Sequence, residues 1–444
     1  MKKKTKIGLS VAAAVFALLI GLAGYSVYQV TEFVAGKAAF QKGYAEEYRN
    51  EYAAAIVHFD LALRKPSTRY WRAYALENRA YCYQQLRRRA EAIRDYSDAL
   101  GLISELSEAR AGRGVLHEEG GKSDLAFDDY NQALSLNPNL ANVWYHRGLI
   151  YMRSQDYGKA RSDFREAIRC FPDFEDAYLE AGYASYDLKD HDGALSGFEV
   201  AIHLNPKDAR AYVARGAIYE VRKNYSRAVS DFTEAIRLSP HNADYLVYRS
   251  VAYDDESRWA EEIADLTEAL RLNPGSEGAL RKRGQAYRSA KDYPRAITDF
   301  TELIRVTQAG GAYQERAHTY FRSGQYALAL VDYQQASAYP GGTVKSKAKT
   351  MAWLLATGPD PQFRDGREAV TQATQDCDRS LWQDSIHLDT LAAAYAETGQ
   401  FDEAVCYELQ AIALKGDDAE WKAQFEKRLA LYQKCQPYRE ELSR

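Results

Sequence analysis

Residues Tyr145–Phe164 read "YHRGLIYMRSQDYGKARSDF". The stretch scans as a helix, a turn and a second helix with a good apolar stripe. Arg147 interrupts that stripe, one residue before Gly148. Asp163 follows in the second helix, sixteen residues on. Whether this charged pair is a site or part of a scaffold depends on how often it recurs.

It recurs with a period near 34. Gly114, Gly148, Gly182, Gly216, Ser250 and Gly284 are each 34 apart, and Gly43, Ala80 and Ala317 extend the series with small shifts. Twelve residues later stands a second small position: Ala55, Ala92, Ala126, Ala160, Ala194, Ala228, Glu262, Ala296 and Ala329. A third reads Ala62, Ala99, Ala133, Ala167, Ala201, Ala235, Ala269, Leu303 and Ala336. Three residues before the third stands an aromatic (Phe59, Tyr96, Tyr130, Phe164, Phe198, Phe232, Phe300, Tyr333), with Leu266 the one departure. Pro138, Pro172, Pro206, Pro240 and Pro274 close successive units.

Small residues let two antiparallel helices approach, the aromatic fills the space beside them, and the proline stops the second helix. One such hairpin cannot bury its apolar face alone, so the units must stack. The aromatic, Gly, Tyr, Ala, Phe, Ala and Pro in this order resemble the tetratricopeptide repeat (TPR) family. The resemblance implies an all-α, right-handed superhelix of helix-turn-helix units. Nine units span residues 36–344, and a further unit spans 385–416, where Glu408 replaces the aromatic. Residues 345–384 read as a divergent hairpin. Gly358, Pro359 and Pro361 break its first helix, and Asp365 with Glu368 signals the start of the second. This segment, with "PYRE" at Pro437–Glu440, resembles the ending of many bacterial TPR proteins. Residues 417–444 supply a capping helix and tail, as solenoid ends require.

The charged pair appears as Arg79/Asp95, Arg113/Asp129, Arg147/Asp163, Arg215/Asp231, Arg249/Asp265, Arg283/Asp299 and Arg316/Asp332. One unit has Ala181 and Gly197 instead and lacks both charges; the first unit has Lys42 and His58. Joint presence and joint loss predict an ion pair bridging the two helices of each hairpin. A seven-fold repeated pair is scaffold rather than catalytic site.

Composition limits the function classes. The 444 residues carry 58 basic and 62 acidic side chains, a formal net charge of −4. Without Lys2, Lys3, Lys4 and Lys6 the rest carries −8, which argues against nucleic acid as a partner. Cys82, Cys170, Cys377, Cys406 and Cys435 form no CxxC, and the eight His show no HxxxH or HExxH spacing. The expectation is buried structural cysteines, no metal and no cofactor. With no P-loop, GxGxxG or nucleophile motif, enzyme function is not expected.

The amino terminus, residues 1–30, reads as a basic cluster followed by an uncharged stretch. Ile7–Gly24 is just long enough to span a bilayer, and Tyr25 and Tyr28 suit its interface. The expectation is an uncleaved transmembrane helix in a bacterial cytoplasmic membrane with the body outside the cytoplasm. The alternative is a signal peptide cleaved near Gly21-Leu22-Ala23, leaving a secreted or periplasmic protein.

By resemblance, the first helices line a concave groove through positions that vary here. Tyr145, Leu149, Tyr183 and Tyr186 make an expected aromatic patch. Arg281, Lys282 and Arg288 make a basic one, preceded by Asp244, Asp254 and Asp255. The family's clamp for a terminal carboxylate is not matched: Arg281 and Gln285 are followed by Glu315 where Asn is wanted. The expected function is a scaffold or adaptor holding a partner protein or extended peptide without catalysis. The alternative is an assembly factor of the cell envelope, acting through its convex surface or by self-association.

Overall fold

The structure is a computed structural model that describes residues 29–337, 339, 351–415 and 419–440. Residues 1–28, which hold almost all of the expected membrane anchor, lie outside it. No described helix is long and apolar enough to cross a membrane.

The chain divides into two compact units, Met1–Arg215 and Gly216–Arg444. The first unit begins with α1, helical over 29–48. There follow α2 (Tyr52–Arg64), α3 (Arg69–Gln85), α4 (Arg89–Leu102), α5 (Ser107–Glu119), α6 (Ser123–Leu136), α7 (Ala141–Arg153), α8 (Tyr157–Cys170), α9 (Glu175–Asp187) and α10 (His191–Leu204). Helix α11 (Ala209–Val221) carries the division. The second unit continues with α12 (Tyr225–Leu238), α13 (Ala243–Asp255), α14 (Trp259–Leu272), α15 (Glu277–Ser289), α16 (Tyr293–Thr307), α17 (Gly310–Arg322) and α18 (Tyr326–Ser337). It ends with α19 (Met351–Thr357), α20 (Gly366–Arg379), α21 (Ser385–Glu397), α22 (Phe401–Lys415) and α23 (Ala419–Tyr432). Within each unit, consecutive helices pack as antiparallel hairpins. First helices of neighbouring hairpins also meet directly, α3 with α5, α7 with α9 and α13 with α15. They lie closer together than the second helices do, so they form the inner face of each stack.

Local chemistry sets the boundaries. The hairpin turn passes through a left-handed residue at one fixed position: Gln155 (φ 62°), Lys189 (64°), Ser257 (57°) and Lys291 (61°). That conformation lets its own N–H and that of the following residue cap the first helix; Gln155 N–H donates to Met152 O and Asp156 N–H to Tyr151 O. Helices α8, α10, α12 and α16 start on side-chain caps, as where Asp156 accepts from Lys159 N–H and Asp292 from Arg295 N–H. Asp365 does the same for α20, accepting from Arg367 and Glu368 N–H.

The small positions are small because the helices nearly touch there. A Cβ on Gly148 would lie 2.6 Å from the Phe164 ring, and one on Gly182 2.4 Å from the Phe198 ring. Phe164 and Phe198 are buried with the alanines around them. At the carboxyl end every residue from Ala352 to Thr357 of α19 is buried. The "PYRE" segment straps over it: Glu440 N–H donates to Thr357 O, and Trp353 Nε1 donates to Glu440. Arg439 pairs with Glu397 at 2.6 Å. Beneath the strap, Arg428 bonds Asp389 at 2.6 Å and lies 3.7 Å from Glu408.

The cysteines correct the expectation of five buried thiols. All are free; Cys82 and Cys377 are buried, Cys170 is half-buried, and Cys406 and Cys435 are exposed. Cys435 falls in a left-handed turn just after α23 (φ 55°), outside any helix–helix seam. Burial, with acidic neighbours adding, pushes the Cys82 and Cys377 thiols up to about 12, so they stay inert.

Candidate functional site: the first-helix face

The repeated charges meet as forked pairs. Arg147 Nε and Nη2 donate to the two Asp163 oxygens at 2.7 and 2.8 Å. Arg79–Asp95, Arg113–Asp129, Arg249–Asp265, Arg283–Asp299 and Arg316–Asp332 repeat this geometry at 2.6–2.9 Å. Arg215 and Asp231 fall on either side of the division between the units. The aspartates are buried, and a planar fork matched to a carboxylate is the strongest form such a bond takes.

Each arginine has a third bond that sequence reading missed. Its Nη1 reaches back to the second helix of the preceding hairpin. Arg147 meets Asn131 there at 2.7 Å, Arg113 meets Ser97 at 3.2 Å and Arg249 meets Thr233 at 2.9 Å. Asp60, Thr267 and Thr301 serve Arg79, Arg283 and Arg316. All six acceptors immediately follow the hairpin's aromatic position, which was the available signal. Before the hairpin with Ala181, that position holds Arg165, which has no acceptor to offer. Arg165 lies instead near Asp190, which Arg161 bonds at 2.8 Å. The arginines thus stitch hairpin to hairpin and are not open to a ligand.

On the inner face, Tyr145 is half-buried. Its ring lies 5.8 Å from Phe164 and 4.9 Å from Phe174 in the loop entering α9. Burial, with Glu180 and Asp176 adding, pushes its hydroxyl up to about 12. Leu149 packs into the same cluster around Phe164. Tyr183 rests edge-on against Phe198 at 5.3 Å, and Tyr186 leans to His191 at 5.9 Å with Lys189 over its ring. In the expected aromatic patch, Tyr145 and Tyr183 are therefore seated on their own hairpins' phenylalanines and Tyr186 on His191, and all three stay partly exposed.

The expected basic patch is internally neutralised. Arg281 bonds Glu277 at 2.9 Å and Arg288 bonds Glu315 at 2.7 Å. Gln285 also donates to Glu315 at 2.7 Å. Glu315, the residue that breaks the family's carboxylate clamp, thus occupies the donors an anion would need. Lys282 lies within electrostatic reach of Glu220 and Glu262.

Two acidic features of the first unit escaped the sequence reading. Glu118 accepts from Tyr130 at 2.8 Å, meets His146 at 3.1 Å and pairs with Arg153 at 2.6 Å. Burial alone would raise its carboxyl; the three partners hold it down at about 2. Glu47 Oε2 and Glu77 Oε1 are buried without a hydrogen-bond partner, and burial raises each group to about 7. Around them, Tyr44, Tyr74 and Tyr81 stand exposed on the inner-face stripe of α1 and α3.

Models described as "Tetratricopeptide repeat" match residues 141–174, 198–243 and 215–277, and one described as "TPR repeat" matches 119–155. Among solved structures, the chain is similar to YrrB, described as a TPR protein with an unusual peptide-binding site. The identity there is 22%, over 42% of this chain and 95% of that one, with a TM-score of 0.38. It is similar to PilF of Pseudomonas aeruginosa at 19% identity, over 50% and 99%, with a TM-score of 0.43. A third likeness is the carboxyl-terminal part of a TPR repeat-containing protein from Cytophaga hutchinsonii, at 20% identity, over 55% and 98%, with a TM-score of 0.45. No curated protein matches the chain. Because the buried glycine, alanine and aromatic positions keep one frame inside and outside the matched segments, the chain is a tetratricopeptide repeat protein.

Proposed function

We propose that this protein is a non-catalytic scaffold that holds an extended segment of a partner protein along its first-helix face. TPR repeats generally mediate protein–protein interactions. The observation that carries the reading here is a contrast along each first helix. The packing positions are uniform and buried, whereas Tyr44, Tyr74, Tyr81 and Tyr248 stand exposed at positions that change from hairpin to hairpin. Exposed aromatics supply contact area at low entropic cost and are the usual anchors of interfaces. Tyr145, Leu149, Tyr183 and Tyr186 contribute the edges that their own hairpins leave uncovered. The body acts outside the cytoplasm of a bacterium, held by the amino-terminal segment.

Photo-crosslinking residues placed at Tyr145 and Tyr183, and as controls at the outward Leu125 and Leu328, test the groove in cells. Discrete adducts from the first pair alone are expected. Adducts from Leu125 or Leu328 alone would replace the groove with assembly through the outer face. A reporter fused after Arg444 tests the compartment, and a cytoplasmic signal would refute export.

A further inference from the structure

One member of the repeat's second small position is not small. Where eight hairpins carry alanine, α14 carries Glu262. Its side chain is enclosed, at 2% exposure, and its Oε2 has no hydrogen-bond partner. A carboxylate in this setting is a standing cost to the fold, because a buried acceptor without a donor forfeits its hydration. Alanine would remove that cost.

The surroundings show what such an oxygen could receive. Helices α13, α14 and α15 pack together. Asp254 of α13 and Lys282 of α15, both on inner-face positions, are the charged groups within reach of Glu262. Lys282 is shared, because it also faces Glu220, which Asp255 opposes. Glu220 and Glu262 therefore share one ammonium, and each has an aspartate opposing it. Burial pushes Glu262 up to about 7, with Asp254 adding and Lys282 opposing, so an added cation nearby would complete its ionisation. Among the described residues no group of acidic, His or Cys side chains is arranged to hold a metal ion. Tyr248, exposed on the same helix as Asp254, offers a ring face that suits an organic cation.

We propose that the inner face at Glu220, Asp254, Asp255 and Glu262 is a receptor for a cationic side chain, Lys or Arg, of the bound partner segment, with Lys282 as the resident counter-ion that the ligand displaces. The inference rests on the groove reading and names the partner's chemistry. It also explains why the alanine was given up: the chain spends stability at Glu262 to keep a buried carboxyl group beside Asp254 and Lys282.

The test measures binding of a labelled hexa-arginine peptide to the full chain by fluorescence anisotropy, with hexaglutamate as the charge-reversed control. Wild type is expected to bind the first and not the second. Glu262→Ala is expected to weaken hexa-arginine binding about tenfold or more while raising the melting temperature. Glu262→Gln, which keeps the volume, is expected to weaken it similarly. Lys282→Met is expected to tighten it about threefold or more, because a competing cation is gone. A Glu262→Ala protein that binds as wild type does, or a wild type that ignores hexa-arginine, would overturn the proposal. The crosslinking at Tyr145 and Tyr183 reads out elsewhere on the molecule and depends on no ligand charge. The groove reading can therefore survive the loss of this one.

Discussion

Gly197 of α10 packs backbone to backbone against Gly182 of α9, at the level where six other hairpins hold an arginine–aspartate fork. A Cβ there would lie 2.9 Å from Tyr178 O and 3.2 Å from the Gly182 backbone. No aspartate fits such a gap, and Ala181 across from it has no charge to pair. The hairpin without the ion pair is therefore an alternative solution to the same problem of joining two helices.

Gly197→Ala should cost about 1–3 kcal/mol, because backbone atoms cannot move aside as a flexible side chain can. Gly101→Ala is the control: its Cβ would meet nothing within 4 Å, near the end of α4. There the change should be neutral or stabilising by up to about 1 kcal/mol. Chemical denaturation of both variants reads the contrast.

Glu118 makes the first unit sensitive to acid. Its carboxyl is depressed in the folded state, so its bonds contribute fully above the unfolded value, near 4.5. The contribution is lost as pH falls from there toward 2. Glu118→Gln should cost about 1.5–3 kcal/mol at pH 7, and the difference from wild type should vanish in that acid window. Denaturation midpoints across pH 2–7 give the result.

Glu408 makes the carboxyl end sensitive to base. It fills the repeat's aromatic position, fully buried, beside Asp389 and Arg428. Burial first, then the Asp389 charge, pushes it up to about 10. The folded state therefore holds a proton that the unfolded chain releases above about 4.5, and stability falls as pH rises through that window. The slope is at most about 1.4 kcal/mol per pH unit. Glu408→Gln should flatten the fall between pH 6 and 9, measured as the difference in unfolding midpoint from wild type.

The hairpin frame was legible because its cause is steric. Wherever two helices come within reach of a Phe or Tyr ring, only a small residue fits, and that constraint recurs at every unit. The Arg–Asp fork was legible because both partners keep their identity. The third arm of each arginine was not, because Asp, Ser, Asn and Thr all serve as acceptor and only their position is constant. The site was less legible still. Tyr145 is partly covered by Phe174 from the following loop, and the charges of Arg281 and Arg288 are met by Glu277 and Glu315. The covering of Tyr145 and the pairing of Arg288 with Glu315 depend on where neighbouring elements place their side chains, which a position count within one helix does not carry. Arg281 and Glu277 share one helix at i,i+4, so that pair was open to sequence reading. Cys406 and Cys435 fall outside the seams that would have buried them.

The most direct measurement is a double-mutant cycle on Arg147→Ala and Asp163→Ala, read by equilibrium unfolding. Asp163 is 4% exposed, so Arg147→Ala alone should cost about 3 kcal/mol by leaving a buried carboxylate without its partner. The account predicts a coupling energy of about 2 kcal/mol between the two substitutions. A coupling indistinguishable from zero would contradict it: the seven-fold pair would then be an inherited pattern rather than the stitching of the scaffold.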